Sequence, residues 1–84
     1  MINDKDRQAM LNRLSRIEGQ LRGIQKLMGQ DDADCEKVLQ QMAASRKALD
    51  KAAHVMLACV IDHAVSGGDA VGFDDIGDLI SKYA

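Results

Sequence analysis

The sequence predicts an all-α protein, and three observations support this fold class. None of the 84 residues is proline, apolar residues recur at spacings of three and four over long stretches, and no stretch alternates like a strand. We therefore expect one helical domain spanning residues 1–84, with helices at about 5–28, 34–66 and 72–83. The first two helices would form a long antiparallel hairpin, because the break between them is short, and the third would follow it.

The first helix has the most regular pattern. Its apolar residues are spaced four, three, four, three and four apart, which is typical of a heptad stripe. They are Met10, Leu14, Ile17, Leu21, Ile24 and Met28. We expect Asp4 or Asp6 to cap the N-terminus of this helix and Gly29 to cap its C-terminus.

The second helix is predicted to begin between Asp32 and Asp34 and to end at Gly67-Gly68. Arg46 interrupts its apolar stripe, which consists of Cys35, Leu39, Met42, Leu49, Ala53, Met56, Val60 and Ala64. Further apolar residues lie off that stripe, namely Val38, Ala52, Val55, Leu57 and Ile61. Since a lone hairpin buries each helix on one side only, this width predicts a homodimer built as a four-helix bundle. Two such dimers are then expected to form a homotetramer.

The third helix is predicted to be short and amphipathic. Its apolar face would comprise Phe73, Ile76, Leu79, Ile80 and Tyr83. Gly77 weakens this prediction because glycine costs ~1 kcal/mol relative to alanine inside a helix.

The composition excludes several classes of protein. With 46% hydrophobic and 29% charged residues the chain has the character of a folded domain. No apolar run approaches the ~20 residues that span a bilayer, and the first residues lack signal-peptide character, so we expect a cytoplasmic protein without membrane contact. Enzyme catalysis has no support, since no phosphate-binding glycine loop, catalytic triad or paired carboxylate is present.

The net charge of −2 hides an uneven distribution. Residues 1–51 contain ten Lys and Arg against eight Asp and Glu, whereas residues 52–84 contain one against five. A basic face on the first part of the chain would suit nucleic acid even though the whole protein is acidic. The alternative is a solvated helix face that binds nothing.

The two cysteines are the candidate chemical groups. Cys35 lies at the predicted start of the second helix, where the partial positive charge of the helix end favours a reactive thiol. Alternatively, it is a small buried apolar residue. Cys59 and His63 share one helix face and could supply two metal ligands, although a histidine near a helix C-terminus is more often simply exposed.

Two segments resemble a known family. Residues 13–24 read Arg-Leu-Ser-Arg-Ile-Glu-Gly-Gln-Leu-Arg-Gly-Ile, which is similar to the R-x-x-R-I-E-G-Q-x-R-G-I signature of copper-sensing operon repressors (CsoR) and nickel/cobalt repressors (RcnR). Residues 34–44, with Cys35 followed by Val38-Leu39 and Gln41-Met42-Ala43-Ala44, resemble the C-x-x-V/I-L-x-Q-I-A-A segment of that family. The resemblance extends over residues 5 to about 66.

This resemblance implies a helical dimer of dimers that binds double-stranded operator DNA without a helix-turn-helix and is released by an effector. Basic residues of the first two helices form the DNA face in the family. The matching residues here are Arg13, Arg16, Arg22, Arg46 and Lys47.

The resemblance also constrains the effector. The copper-sensing members combine a Cys at the position of Cys35 with a His and a Cys of the partner subunit, and those two positions hold Val60 and Ala64 here. The N-terminal His of the nickel/cobalt members is absent, and Ile2 replaces the N-terminal proline of the formaldehyde-responsive type. We therefore predict an effector that modifies the thiol of Cys35, by sulfur or persulfide transfer, aldehyde addition or oxidation, with Cys59 as the second thiol.

Two alternatives stay open at this point. One is a repressor that responds to Cu(I) or another soft metal through Cys35 with Cys59 or His63. The other is a helical carrier of thiols or metals that never binds DNA.

Overall fold

The computed structural model describes residues 2–66 and 73–84, and this part of the chain forms three α-helices and no strand. They are α1 (Asp4–Met28), α2 (Cys35–Ser66) and α3 (Phe73–Tyr83). α1 packs against α2, and α3 packs against α2 as well. The predicted all-α class and the order of the three helices are confirmed. The predicted stop at Gly67-Gly68 lies outside the described residues.

The cap of α1 differs from the sequence prediction. The Oδ1 of Asn3 accepts a hydrogen bond from the backbone N–H of Asp6 at 2.8 Å, so Asn3 is the N-cap. Its extended backbone directs the side chain toward the free N–H groups of the first turn, whereas Asp4 and Asp6 already lie inside the helix. At the other end Gly29 caps α1 as predicted, and its N–H donates to the carbonyl of Gln25 at 3.0 Å.

The start of α2 is set by Asp34. Its Oδ1 accepts hydrogen bonds from the backbone N–H groups of Glu36, at 2.9 Å, and Lys37, at 3.4 Å. These bonds satisfy donors that have no partner within the helix. The predicted helix start near Asp34 is confirmed, and Cys35 becomes the first residue of α2.

The contact between α1 and α2 combines large side chains on one helix with small ones on the other. On α1, Ile17 and Ile24 are buried; on α2, Val38, Ser45 and Ala52 are buried. Ile17 and Ile24 are seven residues apart. Val38, Ser45 and Ala52 also follow one another at intervals of seven, as expected for helices that contact each other once every two turns. Small residues on α2 allow the two helices to lie close together.

This contact uses only part of the stripes predicted from the sequence. Ile17 and Ile24 are buried as predicted, but most of the remaining large stripe residues are exposed. The exposed ones are Leu14, Leu21 and Met28 on α1 and Leu39, Met42, Leu49 and Val60 on α2, which we call the outer apolar residues. On α2 the contact instead uses Val38 and Ala52, which lie off the predicted stripe, because the helix turns its small residues toward α1. Its larger side chains are therefore left on the outside.

The predicted apolar face of α3 is also only partly buried. Ile76 and Leu79 are half-buried, whereas Ile80 and Tyr83 are exposed. The side chain of Phe73, the fifth member of that face, lies outside the described part of the structure.

The folded chain is a thin slab. Its extents are 57 × 28 × 12 Å, and its radius of gyration is 17.3 Å, against about 12 Å for a compact chain of this length. A layer about one helix thick buries few side chains, and none of the large side chains described is fully buried. Among residues 2–66 and 73–84, no helix is both long and apolar enough to cross a membrane.

Candidate functional site

A groove between α1 and α2 collects basic side chains. Its volume is about 280 Å³, and it is lined by Arg13, Arg16, Ile17, Gln20, Ala48 and Lys51. The four residues of α1 follow one another at spacings of three, one and three, which places them on one side of that helix. Ala48 and Lys51 are three apart and so share one side of α2. We call this feature the basic groove.

The two walls of the basic groove are joined by a side-chain hydrogen bond. The Oγ of Ser45 on α2 donates to the Oε1 of Gln20 on α1 at 3.4 Å. Ser45 is buried while Gln20 is exposed, so the bond runs from the helix contact toward the groove surface.

The cations of the basic groove have no carboxylate partner in the part of the chain that the structure describes. In the described part of the chain, neither Arg13, Arg16 nor Lys51 forms an ion pair with a carboxylate. Arg13 is half-buried, whereas Arg16 and Lys51 are exposed. The groove therefore presents uncompensated positive charge to whatever lies above it.

Of the five basic residues expected from the family resemblance, the structure brings only two together. Arg13 and Arg16 line the basic groove. Arg22 does not line it, and its guanidinium pairs with Glu18 at 3.5 Å. Arg46 is exposed next to outer apolar residues of α2, three residues before Leu49.

The fifth residue, Lys47, is exposed and lies four residues before Lys51, so these two lysines share one side of α2. Lys51 was missed by the sequence analysis, although its spacing from Lys47 and its place in a family-like stretch were both visible. Gln20 was missed as well, because nothing in the sequence shows that it faces α2.

The two thiols lie far apart in the chain. Both are free; Cys35 is exposed at the start of α2, and Cys59 is half-buried. Twenty-four residues of continuous helix separate them, which corresponds to about 36 Å at 1.5 Å per residue. A disulfide requires Cα atoms within about 7 Å, so Cys35 and Cys59 of one chain cannot pair.

Cys59 lines a second cavity between α1 and α2, with a volume of about 410 Å³. Around this cavity lie Met10, Arg13 and Asp6 from the first part of the chain and Met56 and Asp62 from α2. Met10 and Met56 are half-buried, as is Cys59. The two methionines were read only as members of apolar stripes in the sequence, because periodicity does not reveal which side chains of different helices share a cavity.

His63 does not line this second cavity. It is exposed in the last turn of α2, four residues after Cys59. No group of three or more His, Cys, Asp or Glu side chains suited to a metal ion is found within residues 2–66 and 73–84. The residues at the two further positions of the family's copper site, Val60 and Ala64, offer only hydrocarbon side chains. That ligand set therefore does not fit this chain.

Comparison with known proteins agrees with the sequence resemblance. A family described as metal-sensitive transcriptional repressor matches residues 6–82 of the chain. The copper-sensing transcriptional repressor CsoR of Bacillus subtilis (strain 168) is 33% identical, in an alignment that covers 96% of this chain and 84% of that protein. No solved structure matches the chain significantly. The chain belongs to the family of metal-sensitive transcriptional repressors.

Proposed function

We propose that this protein is a metal-responsive transcriptional repressor that holds operator DNA against the basic groove. The observation that carries this proposal is the convergence of Arg13, Arg16 and Lys51 on one groove, where none of the three pairs with a carboxylate of the described residues. Free guanidinium and ammonium groups on an outer surface are the groups that neutralise DNA phosphates. Lys47, one turn before Lys51 on the same side of α2, extends the positive surface.

The mode of DNA binding differs from that of a helix-turn-helix protein. α1 and α2 are 25 and 32 residues long and pack side by side, so neither projects as a short recognition helix. Contacts would come from the sides of the two long helices. Such contacts go mainly to phosphates, and sequence preference would then depend on how the DNA bends or widens to fit the protein.

The shape of one chain supports the association of several copies. The outer apolar residues expose large side chains on both helices, with Leu39 65% exposed and Leu49 51% exposed. A second copy packed on this side would turn the slab into a four-helix bundle, and a pair of bundles would form a homotetramer. A two-fold axis would present the basic groove twice, to the two halves of a dyad-related operator.

The effector is proposed to be a soft metal ion, with Cu(I) as the first candidate, because a relative is a copper-sensing repressor. The modification of a thiol, which the sequence favoured, finds no support in the comparisons, and the metal alternative fits the family better. The sequence offered Cys35, Cys59 and His63 as ligands, and of these Cys59 lines a cavity between α1 and α2. Cys35 is an exposed thiol at the start of α2, whereas Cys59 and His63 lie near the end of that helix.

Release from DNA requires only that the metal ion has different affinities for the DNA-competent and the DNA-incompetent arrangements of the protein. A metal ion that binds the DNA-incompetent arrangement more tightly shifts the population away from the bound form. A coupling of about 5–150-fold between metal and operator is typical of such systems.

A gel-shift titration with the DNA upstream of the protein's own gene tests the proposal. The metal-free protein is expected to bind this DNA specifically and with a steep salt dependence, and Cu(I) is expected to weaken the complex. Arg16→Ala should weaken binding and lower the salt slope by about 0.9 if one phosphate contact is lost. Absence of specific binding by the metal-free protein would favour the carrier alternative and overturn the repressor.

A further inference from the structure

Three sulfur-bearing side chains line the cavity that contains Cys59. Met56 and Cys59 are three residues apart on α2, so their side chains are neighbours on one face of the helix. Met10 enters the same cavity from α1. All three are half-buried, which keeps the sulfur atoms partly away from water while leaving a path to them.

We propose that Cys59, Met10 and Met56 form a Cu(I) site within one subunit. Thiolate and thioether sulfur are soft ligands, and they select Cu(I) over the hard divalent cations. On binding, the thiol of Cys59 loses its proton to solvent, and each sulfur atom donates a lone pair to the ion. Copper enters and stays as Cu(I), so no electron is transferred.

The charges around the cavity favour such an ion. Asp6 and Asp62 border the cavity, and Arg13 is the basic residue among the groups that line it. A thiolate and a monovalent cation form a neutral pair, which lowers the cost of holding both away from water. Cys35 is absent from this site because about 36 Å of helix separates it from Cys59.

Arg13 connects this cavity to the proposed DNA surface. Its side chain lines both the sulfur cavity and the basic groove. Bringing Met10 and Cys59 together around a metal ion draws α1 toward α2 one turn before Arg13, and so changes where its guanidinium lies in the groove. This coupling rests on the proposed function, whereas the metal site itself does not.

The metal site is tested by titrating the full-length protein with Cu(I) without oxygen, in competition with a coloured Cu(I) chelator. Wild-type protein is expected to bind one Cu(I) per chain, with ultraviolet absorption from a thiolate–copper bond. Loss of a residue that merely supports a metal ligand costs about 10–100-fold in affinity, so Cys59→Ser and Cys59→Ala should each cost at least that much. Met10→Leu and Met56→Leu should each weaken binding by about tenfold.

Matched variants separate this site from the other candidates. Cys35→Ser, His63→Gln and Met28→Leu alter a thiol, an imidazole and a thioether outside the cavity, and they should leave the Cu(I) affinity unchanged. Circular dichroism should show wild-type helix content in the leucine variants, because leucine and methionine have similar volumes. The site is ruled out if Cys59→Ser keeps its affinity, if both leucine variants bind as tightly as wild type, or if Cys35→Ser or His63→Gln loses the metal.

The gel shift distinguishes a failure of the proposed Cys59 metal site from a failure of the repressor proposal. Cu(I) should weaken operator binding by wild-type protein by about 5–150-fold and leave binding by Cys59→Ser unchanged. If metal-free wild-type and Cys59→Ser both bind DNA and Cu(I) releases both equally, the repressor stands and the Cys59 site falls. If neither binds DNA while the Cu(I) titration follows the expected pattern, the metal site stands without the repressor.

Discussion

The Oγ of Ser45 donates a hydrogen bond to the Oε1 of Gln20 at 3.4 Å, across the contact between α1 and α2. Hydroxyl donors usually lie ~2.5–3.0 Å from their acceptors, so this bond contributes at the low end of about 0.5–1.5 kcal/mol. Gln20 is exposed, and water can replace Ser45 as its partner. At 6% exposure the small size of Ser45 matters more for the helix contact than its hydroxyl group does.

Substitutions of Ser45 should therefore depend on size. Ser45→Ala is expected to change the free energy of unfolding by less than about 1 kcal/mol, because alanine loses a weak bond but gains helix propensity. Ser45→Leu should cost about 1–3 kcal/mol by overpacking the contact. Urea unfolding at one fixed protein concentration measures both. A leucine variant as stable as wild type would contradict the close approach of the two helices.

A second prediction concerns how much the N-terminal cap of α2 contributes to the stability of the protein. Asp34→Ala removes the acceptor for the N–H groups of Glu36 and Lys37 and should cost about 0.5–2 kcal/mol, whereas Asp34→Asn should largely retain the cap. Asp32→Ala is the control, since Asp32 is exposed in the turn and accepts no hydrogen bond among the described residues. Thermal unfolding compares the three variants, and equal midpoints for Asp34→Ala and Asp32→Ala would refute the assignment of the cap.

The outer apolar residues predict how subunits associate. Leu49→Glu places a charge among them and should shift the protein toward smaller species or unfold it, because a charge buried without a partner is costly. Gln40→Glu lies nine residues away, about 180° around the same helix, and should leave assembly unchanged. Sedimentation equilibrium measures the masses. Identical masses for wild type and Leu49→Glu would show that this side is not the interface.

The position of a basic residue relative to the basic groove predicts how much it contributes to DNA binding, which the sequence alone does not show. Lys51→Ala should weaken operator binding and lower its salt slope by about 0.9, as for loss of one phosphate contact. Arg22→Ala should have the smaller effect, because Arg22 lies outside the groove and already pairs with Glu18. Gel shifts at several salt concentrations measure the slopes. A larger effect of Arg22→Ala would move the DNA surface away from the groove.

The separation of the two thiols predicts the products of oxidation. Because about 36 Å of helix lies between Cys35 and Cys59, any disulfide between them must join two chains. Non-reducing electrophoresis after mild oxidation should show linked dimers, and Cys35→Ser should remove any Cys35–Cys59 species. The opposite result, a disulfide within one chain, would appear as a monomer whose intact mass shows the loss of both thiol hydrogens.

Part of the candidate site could be predicted from the sequence. Arg13 and Arg16 were identified because they lie in a family-like segment and share one flank of a regular helix. Lys51 and Gln20 were not, because their role depends on which side of α2 faces α1. For the same reason the sequence did not show that Met10, Met56 and Cys59 line one cavity, since they lie up to 49 positions apart in the sequence.

The sequence alone determined that three helices form, and where the first ends and the second begins, because caps depend on interactions between neighbouring residues. Apolar spacing gave α1 its length, and Asp34 and Gly29 mark the break that makes a hairpin. The tertiary structure decided which faces meet. α2 is apolar over more than one side, so its periodicity is compatible with several orientations. Close packing selected the orientation that turns Ser45 and Ala52 inward and leaves Leu49 on the outside.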